Sequence, residues 1–244
     1  MTRAASLLLA TFVFVVSAGA QELHPVLQNH AEARGGVAAI EAIQSVDVRV
    51  TIDEGWVLDG HYRATRDGLM RIDVFAEGER VFTEALSEDG SAWAMQRGEA
   101  TGSPITEEEA GILWRGVLGN IYGLHELASQ GVAVSVSGPE ELEGESYWLV
   151  DLVHEDGFED RYYLDAESFL VVRQRSDHAL HPAVDPEVRR YESRYSDYRQ
   201  VDGVLFAFRQ EKFDLDTGER VQRTTVHSRE SNTIEDRSEF RMPQ

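Results

Sequence analysis

Apolar side chains recur along this chain with two different periods. Between residues 22 and 43 they follow helical spacing: Leu23, Val26, Leu27 and Ala31, then, beyond Gly35-Gly36, Val37, Ile40 and Ile43. The double glycine predicts two short helices rather than one. From Ser45 the period becomes two, with Val46, Val48, Val50 and Ile52 alternating with Asp47, Arg49 and Thr51, the pattern of a strand with one buried face. Similar stretches follow at 56–66, 69–75, 80–86 and 91–95, and again at 132–137, 147–154, 158–165, 170–175, 191–199, 204–213 and 220–230. Asp67-Gly68, Glu77-Gly78, Asp89-Gly90, Asp156-Gly157, Asp202-Gly203 and Asp216-Thr217-Gly218 separate them, and glycine there supplies the positive φ of tight hairpin turns.

The interruption at 106–130 is helical. Thr106 and Glu109 form a capping box, and Glu107, Glu108 and Glu109 suit the positive end of a helix. Ile112, Leu113, Val117, Leu118, Ile121, Leu124 and Leu127 recur at helical spacing up to a stop at Gly131. Gly111, Gly116, Gly119 and Gly123 lie inside the segment, each costing a helix roughly 1 kcal/mol relative to alanine, which predicts a bent or broken helix. An antiparallel sheet of this length curls, so the expected fold is mainly β with some α: a half-open barrel of about 11 strands with N-terminal helices and a helical insertion as lid.

The first residues carry a different signal. Arg3 precedes an apolar run from Ala4 that ends in Ala18-Gly19-Ala20, which reads as a secretory signal peptide over 1–20, leaving 21–244 as one domain. With no cysteine there is no disulfide framework, thiol nucleophile or lipid-modified N-terminus. A formal charge of −21 is repelled by phosphate backbones, so nucleic acid is excluded as a partner. The expected product is a periplasmic monomer, soluble after cleavage.

Catalytic motifs are missing: there is no Gly-x-Ser-x-Gly elbow, phosphate-binding Gly-rich loop or dinucleotide fingerprint. Asp177, His178, His181 and Asp185 offer ligand types for a divalent ion, but Pro182 and Pro186 mark them as a solvent loop. Glu155, Asp156, Glu159 and Asp160 surround a hairpin and lack the spacing of a calcium loop. No metal, cofactor or enzymatic activity is expected. Trp56, Leu58, Met70, Ile72, Trp93, Met95, Leu113, Trp114, Leu118 and Ile121 are the candidates to line a hydrophobic hollow and its lid; each is equally at home in an ordinary core.

Several stretches then resemble the outer-membrane lipoprotein-sorting protein family, relatives of the periplasmic lipoprotein carriers. They are Ala33-Arg34-Gly35-Gly36 with Ile43 and Ser45, Tyr162-Tyr163-Leu164-Asp165, Ser196-Asp197-Tyr198-Arg199 leading to Val201-Asp202-Gly203-Val204-Leu205-Phe206, and Phe240-Arg241-Met242-Pro243. Ala207, where many relatives have proline, and the loop 176–190 depart from the pattern. The resemblance implies a half-open barrel with an apolar concave face covered by helices. It also implies a carrier of lipid or lipoprotein acyl chains that meets a membrane-associated donor or acceptor protein. A protein-interaction or sensor module on the same scaffold is the alternative, and an enzyme the third.

Overall fold

The computed structural model describes residues 23–182 and 185–243, so the expected signal peptide lies outside the described residues. Thirteen strands form one antiparallel sheet. They are β1 (Ser45–Asp53), β2 (Val57–Thr65), β3 (Met70–Ala76), β4 (Glu79–Leu86), β5 (Ala92–Gln96), β6 (Ser103–Pro104), β7 (Ala133–Leu142), β8 (Glu145–Val153), β9 (Glu159–Asp165), β10 (Val171–His178), β11 (Arg189–Val201), β12 (Val204–Asp214) and β13 (Arg220–Ser231). Their spatial order is β6-β5-β4-β3-β2-β1-β13-β12-β11-β10-β9-β8-β7. Consecutive strands pair throughout except β6 and β7, and β1 pairs with β13 as well as with β2. The first and last strands therefore sit in the middle of the sheet, and its two free edges, β6 and β7, are consecutive strands joined through the helical insertion.

The sheet is half-open as expected, with thirteen strands against the expected eleven or so; the period-two stretches mark twelve of them. The pair Ser103–Pro104 is too short to carry a pattern, and β7 continues past Gly138-Pro139 through a register shift between Ser137 and Glu140. β10 extends to His178, into what read as loop.

The N-terminal helices are α1 (Pro25–Arg34) and α2 (Val37–Glu41). Gly35 separates them at φ 124°, and a Cβ there would lie 2.1 Å from the carbonyl oxygen of Gly203 in the β11–β12 turn. Arg34 next to it donates through Nε to the carbonyl of Leu205 at 3.2 Å. Two motifs nearly 170 residues apart in sequence are thus the two sides of one close contact, which docks α1 on the sheet.

The insertion starts as one uninterrupted helix, α3 (Glu107–Ile121), in which Gly111, Gly116 and Gly119 make no break; the break that its glycines predict falls at Gly123, between α3 and a 3-10 turn at Leu127–Gln130. Its capping box is formed, with Glu109 N–H donating to Thr106 Oγ1 at 3.2 Å and Thr106 N–H to Glu109 Oε2 at 2.8 Å. Leu113, Val117, Leu118 and Ile121 are buried, so tertiary packing of this face outweighs the unfavourable propensities. At its end Arg66 donates to the carbonyls of Ile43 at 2.7 Å, Ile40 at 2.9 Å and Ile121 at 3.4 Å, while pairing with Glu126. Cations at a helix C-terminus satisfy its free carbonyls and oppose its dipole. One guanidinium therefore fastens α2 and α3 together.

On the outer face Glu192 is fully buried among Arg194 at 2.7 Å, Arg175 at 2.7 Å and Arg173 at 3.3 Å. Burial alone would raise its pKa, but hydrogen bonds from Arg194 and Arg175 and the charges of Arg175 and Arg173 hold it below the ordinary 4.5. A depressed carboxyl stabilises the fold above its unfolded pKa and loses that contribution as pH falls through its folded pKa. Glu192→Gln is therefore expected to lower unfolding free energy by about 2 kcal/mol at pH 7 and to flatten the loss of stability on acidification, read from denaturant midpoints across pH. Gly35→Ala, which meets both positive φ and the Gly203 carbonyl, is expected to cost about 2–3 kcal/mol in the same measurement.

Candidate functional site

α3 packs against the inner face of β1–β4. Between its other side and the rest of the inner face lies a hollow of about 980 Å³, at the upper end of the roughly 300–1,000 Å³ usual for small-molecule sites. Its wall along the helix is apolar: Leu113 and Leu118 of α3 with Val48, Val50, Phe82 and Val226 of the sheet. Gly116 and Gly119 also line it, and a Cβ on Gly119 would meet nothing within 4 Å. These two glycines remove side chains from the helix face that borders the space.

The floor on β9–β13 is mixed, where the family resemblance implied an apolar concave face: polar side chains stand there beside Val171, Phe206 and Val226. Tyr162, Gln174, Tyr195, Gln210, Lys212 and Thr224 all reach the hollow. Gln174 donates to Asp160 Oδ1 at 2.6 Å and accepts from the Tyr195 hydroxyl; Gln210 donates to Ser193 Oγ at 2.9 Å. Hydrogen-bonded partners reduce the cost of burying such groups. The alternation along β9–β13 placed one set of side chains inside, and much of that set is polar because it borders space rather than packed side chains.

Ionisable groups are strongly perturbed. Burial pulls Lys212, the single lysine of the chain, down to about 8 against the attraction of Glu54 and Asp160. Its Nζ stands 3.0 Å from Nε2 of His178, which burial and then the charge of Lys212 push down to about 4. The neutral imidazole therefore accepts from the ammonium at neutral pH. Near the start of α3, burial and then the charge of Glu109 push Glu84 up to about 7. Towards its end stand Arg34, Arg229 and His30, the last held down to about 3 chiefly by burial and then by Arg34.

The structure distributes the expected lining residues over several surroundings. Leu113 and Leu118 border the hollow. Met70, Ile72, Trp114 and Ile121 belong to the core between α3 and the first strands. Leu58 is half-buried opposite Ile52 on β1, and Trp56 is 61% exposed in the β1–β2 turn. Trp93 and Met95 point to the other face of the sheet. There Trp93 Nε1 donates to the carbonyl of Phe240 at 3.0 Å and Met95 joins Ala85 under Met242. The buried face of β5 is the one turned away from the hollow, so its alternation alone did not tell inside from outside.

The two polar clusters read from sequence come apart. His178 turns into the hollow while Asp177 is exposed, and His181 reaches Glu54 at 3.0 Å. Asp160 enters the hollow, whereas Asp156 pairs with Arg115 of α3, whose guanidinium lies 4.1 Å from the Phe158 ring centre. Among the described residues Glu41, His125 and Glu126 come close enough to share a metal ion, but Glu126 is already paired with Arg66. Sequence reasoning missed Arg34, Phe206, Tyr195, Lys212 and Arg229 altogether. Arg34 and Phe206 stand inside the stretches that carry the family resemblance.

The amine of Lys212 is expected to titrate with a midpoint near 8, read from its side-chain NMR resonance, which is unambiguous because the chain has one lysine. A midpoint near the ordinary 10.5 would mean that the floor is open to bulk water.

No family profile matches the sequence, and no curated protein matches it. Solved structures do match. A LolA superfamily protein from Nitrosomonas europaea aligns with a TM-score of 0.59 at 12% identity, over 91% of this chain and 98% of that one. An outer membrane lipoprotein-sorting protein domain from Vibrio parahaemolyticus aligns with 0.57 at 9%, over 88% and 94%. A DUF1329 family protein from Desulfovibrio piger gives 0.57 at 10%, over 89% and 96%. With identity this low the likeness is one of architecture, and on it the chain has the lipoprotein-sorting-like fold.

Proposed function

We propose that this protein is a periplasmic carrier for a hydrophobic or amphipathic ligand, with the acyl chains of lipids or lipoproteins as the cargo class and outer-membrane sorting as the setting, and that it is not an enzyme. The observation that carries this reading is the hollow of about 980 Å³ between α3 and the sheet, bounded on one side by aliphatic side chains and left empty by glycine on the helix. The architecture shared with a lipoprotein-sorting domain supports it. So does the leader-like sequence of residues 1–20. No helix among the described residues is long and apolar enough to cross a membrane. The polar side chains of the floor make the ligand one with a polar end rather than a bare hydrocarbon.

A second reading, a module that binds another protein, draws on the tip of the β1–β2 hairpin. Trp56 and Val57 are 61% and 63% exposed there. Glu54 beside them holds His181 and, at 2.5 Å, Gln222. An exposed tryptophan on an anchored turn is the kind of side chain that dominates protein interfaces.

Native mass spectrometry of residues 21–244 purified from a periplasm without detergent is expected to show an extra mass that extracts into organic solvent as acyl lipid. Gly119→Leu should obstruct the hollow beside α3 and reduce that mass while leaving the melting temperature equal or higher, since leucine favours a helix over glycine by up to about 1 kcal/mol. A bare protein that takes up no lipid in vitro would shift the weight to the protein-binding reading.

A further inference from the structure

The arginines of this chain are mostly committed. Arg63, Arg66, Arg71, Arg115, Arg161 and Arg173 each sit on a carboxylate. Two arginines of the hollow do not. Arg34 bonds only the carbonyl of Leu205, and Arg229 bonds Asn120 at the end of α3, leaving its buried Nε without a partner. Both flank one aromatic ring: the guanidinium carbon of Arg34 lies 5.2 Å and that of Arg229 3.7 Å from the centre of Phe206. Among the described residues neither forms an ion pair. The acid that acts on Arg34 from a distance is Glu126, which Arg66 already holds.

Two like charges in a shared, partly desolvated place are costly unless something negative joins them. The cost is visible in Arg229, which burial and then the charge of Arg34 pull down to about 9. The remaining ionisable groups here do not relieve it: His30 is neutral, and burial raises the pKa values of Tyr62 and Tyr198, so their phenols keep their protons. Planar guanidinium groups match the oxygens of carboxylate and phosphate with paired hydrogen bonds. From the end of α3 the apolar wall runs back along the helix for about 16 Å between Asn120 and Glu109, at 1.5 Å per residue. At the far end Glu109, whose carboxyl the hydrogen bonds from Thr106 hold below its ordinary value, stays charged and repels an anion, which gives the hollow a direction.

We propose that Arg34 and Arg229 together receive the anionic oxygens of an amphiphile, a carboxylate or phosphate head, whose hydrocarbon chain lies along α3 over Leu113 and Leu118. This rests on the reading of the hollow as a lipid site and adds the charge and orientation of its ligand. Phe206, which borders the hollow beside both guanidinium groups, offers an apolar edge to the first carbons after the head.

Competition against a bound fluorescent acyl probe tests it, with myristate, myristoyl lysophosphatidic acid, neutral monomyristoylglycerol and inorganic phosphate as competitors below their aggregation concentrations. The two anionic amphiphiles are expected to compete about tenfold or more better than the neutral one, the ratio that a charged hydrogen bond supports. Arg34→Gln, alone and with Arg229→Gln, should remove that preference while keeping the affinity for monomyristoylglycerol within about twofold, which also reports an intact fold. Equal affinity of neutral and anionic chains for the wild type, or a preference that survives both substitutions, overturns the proposal and leaves the carrier reading standing. Inorganic phosphate competing as well as the lysophosphatidic acid would assign the arginines to a free anion and overturn the amphiphile. No binding of any acyl compound would overturn the carrier reading, and this proposal with it.

Discussion

A sheet of thirteen strands that does not close leaves an inner face and two edges to be dealt with by very little chain. The strand order solves both problems with one segment. Because β1 pairs with β13, the free edges are β6 and β7, and the only chain between them is the stretch containing α3. The helix that covers the inner face is thus also the connection between the edges, and it cannot swing far without moving one of them. Cover and closure are linked, and the space beneath the helix follows from its apolar face packing against the β1–β4 half.

What holds this cover is charge at its two sides. Arg66 gathers carbonyls from α2 and α3, Arg229 bonds Asn120, and Arg115 reaches Asp156 on the β8–β9 turn. Arginine serves each task better than lysine because one planar group addresses several acceptors at once. The glycines weaken α3 as an isolated helix, yet within the fold they sit where the helix borders empty space or a close neighbour, so their cost is offset by packing on the opposite face.

Much of the architecture was legible in the sequence. Period-two alternation located nearly every strand, the capping box at Thr106 marked the start of α3, and Asx-Gly pairs marked the hairpins. The edges of the picture were not legible: β6 has two residues, and β7 passes through a glycine-proline pair that reads as a turn. The site was harder. A search for aromatic and aliphatic side chains found the core between α3 and β1–β4, because packed and ligand-facing apolar residues look alike in one dimension. Polar residues at inward positions of β9–β13, such as Gln174, Gln210 and Lys212, were the better signal. In a packed sheet those positions would be apolar, so their polarity marks where packing stops. Arg34 was visible as part of a motif, but its meeting with Phe206 and Arg229 depends on pairing across the sheet.

The lone lysine sharpens the contrast between the outside and the inside of the molecule. With 44 acidic residues against 23 basic ones, most of the positive charge is spent in short pairs with carboxylates, and the exterior is left with an excess of negative charge. Among the described residues five cations lack a carboxylate partner: Arg49 and Arg80 are exposed, while Arg34, Arg229 and Lys212 face the hollow, which also holds Glu84, Glu109 and Asp160. An anionic ligand of the kind proposed would pass from an acidic exterior to a hollow that holds unpaired positive charge, slowed on entry by the outer charge and held on exit by the inner. A contacting surface that screens the outer charge would then speed its exchange.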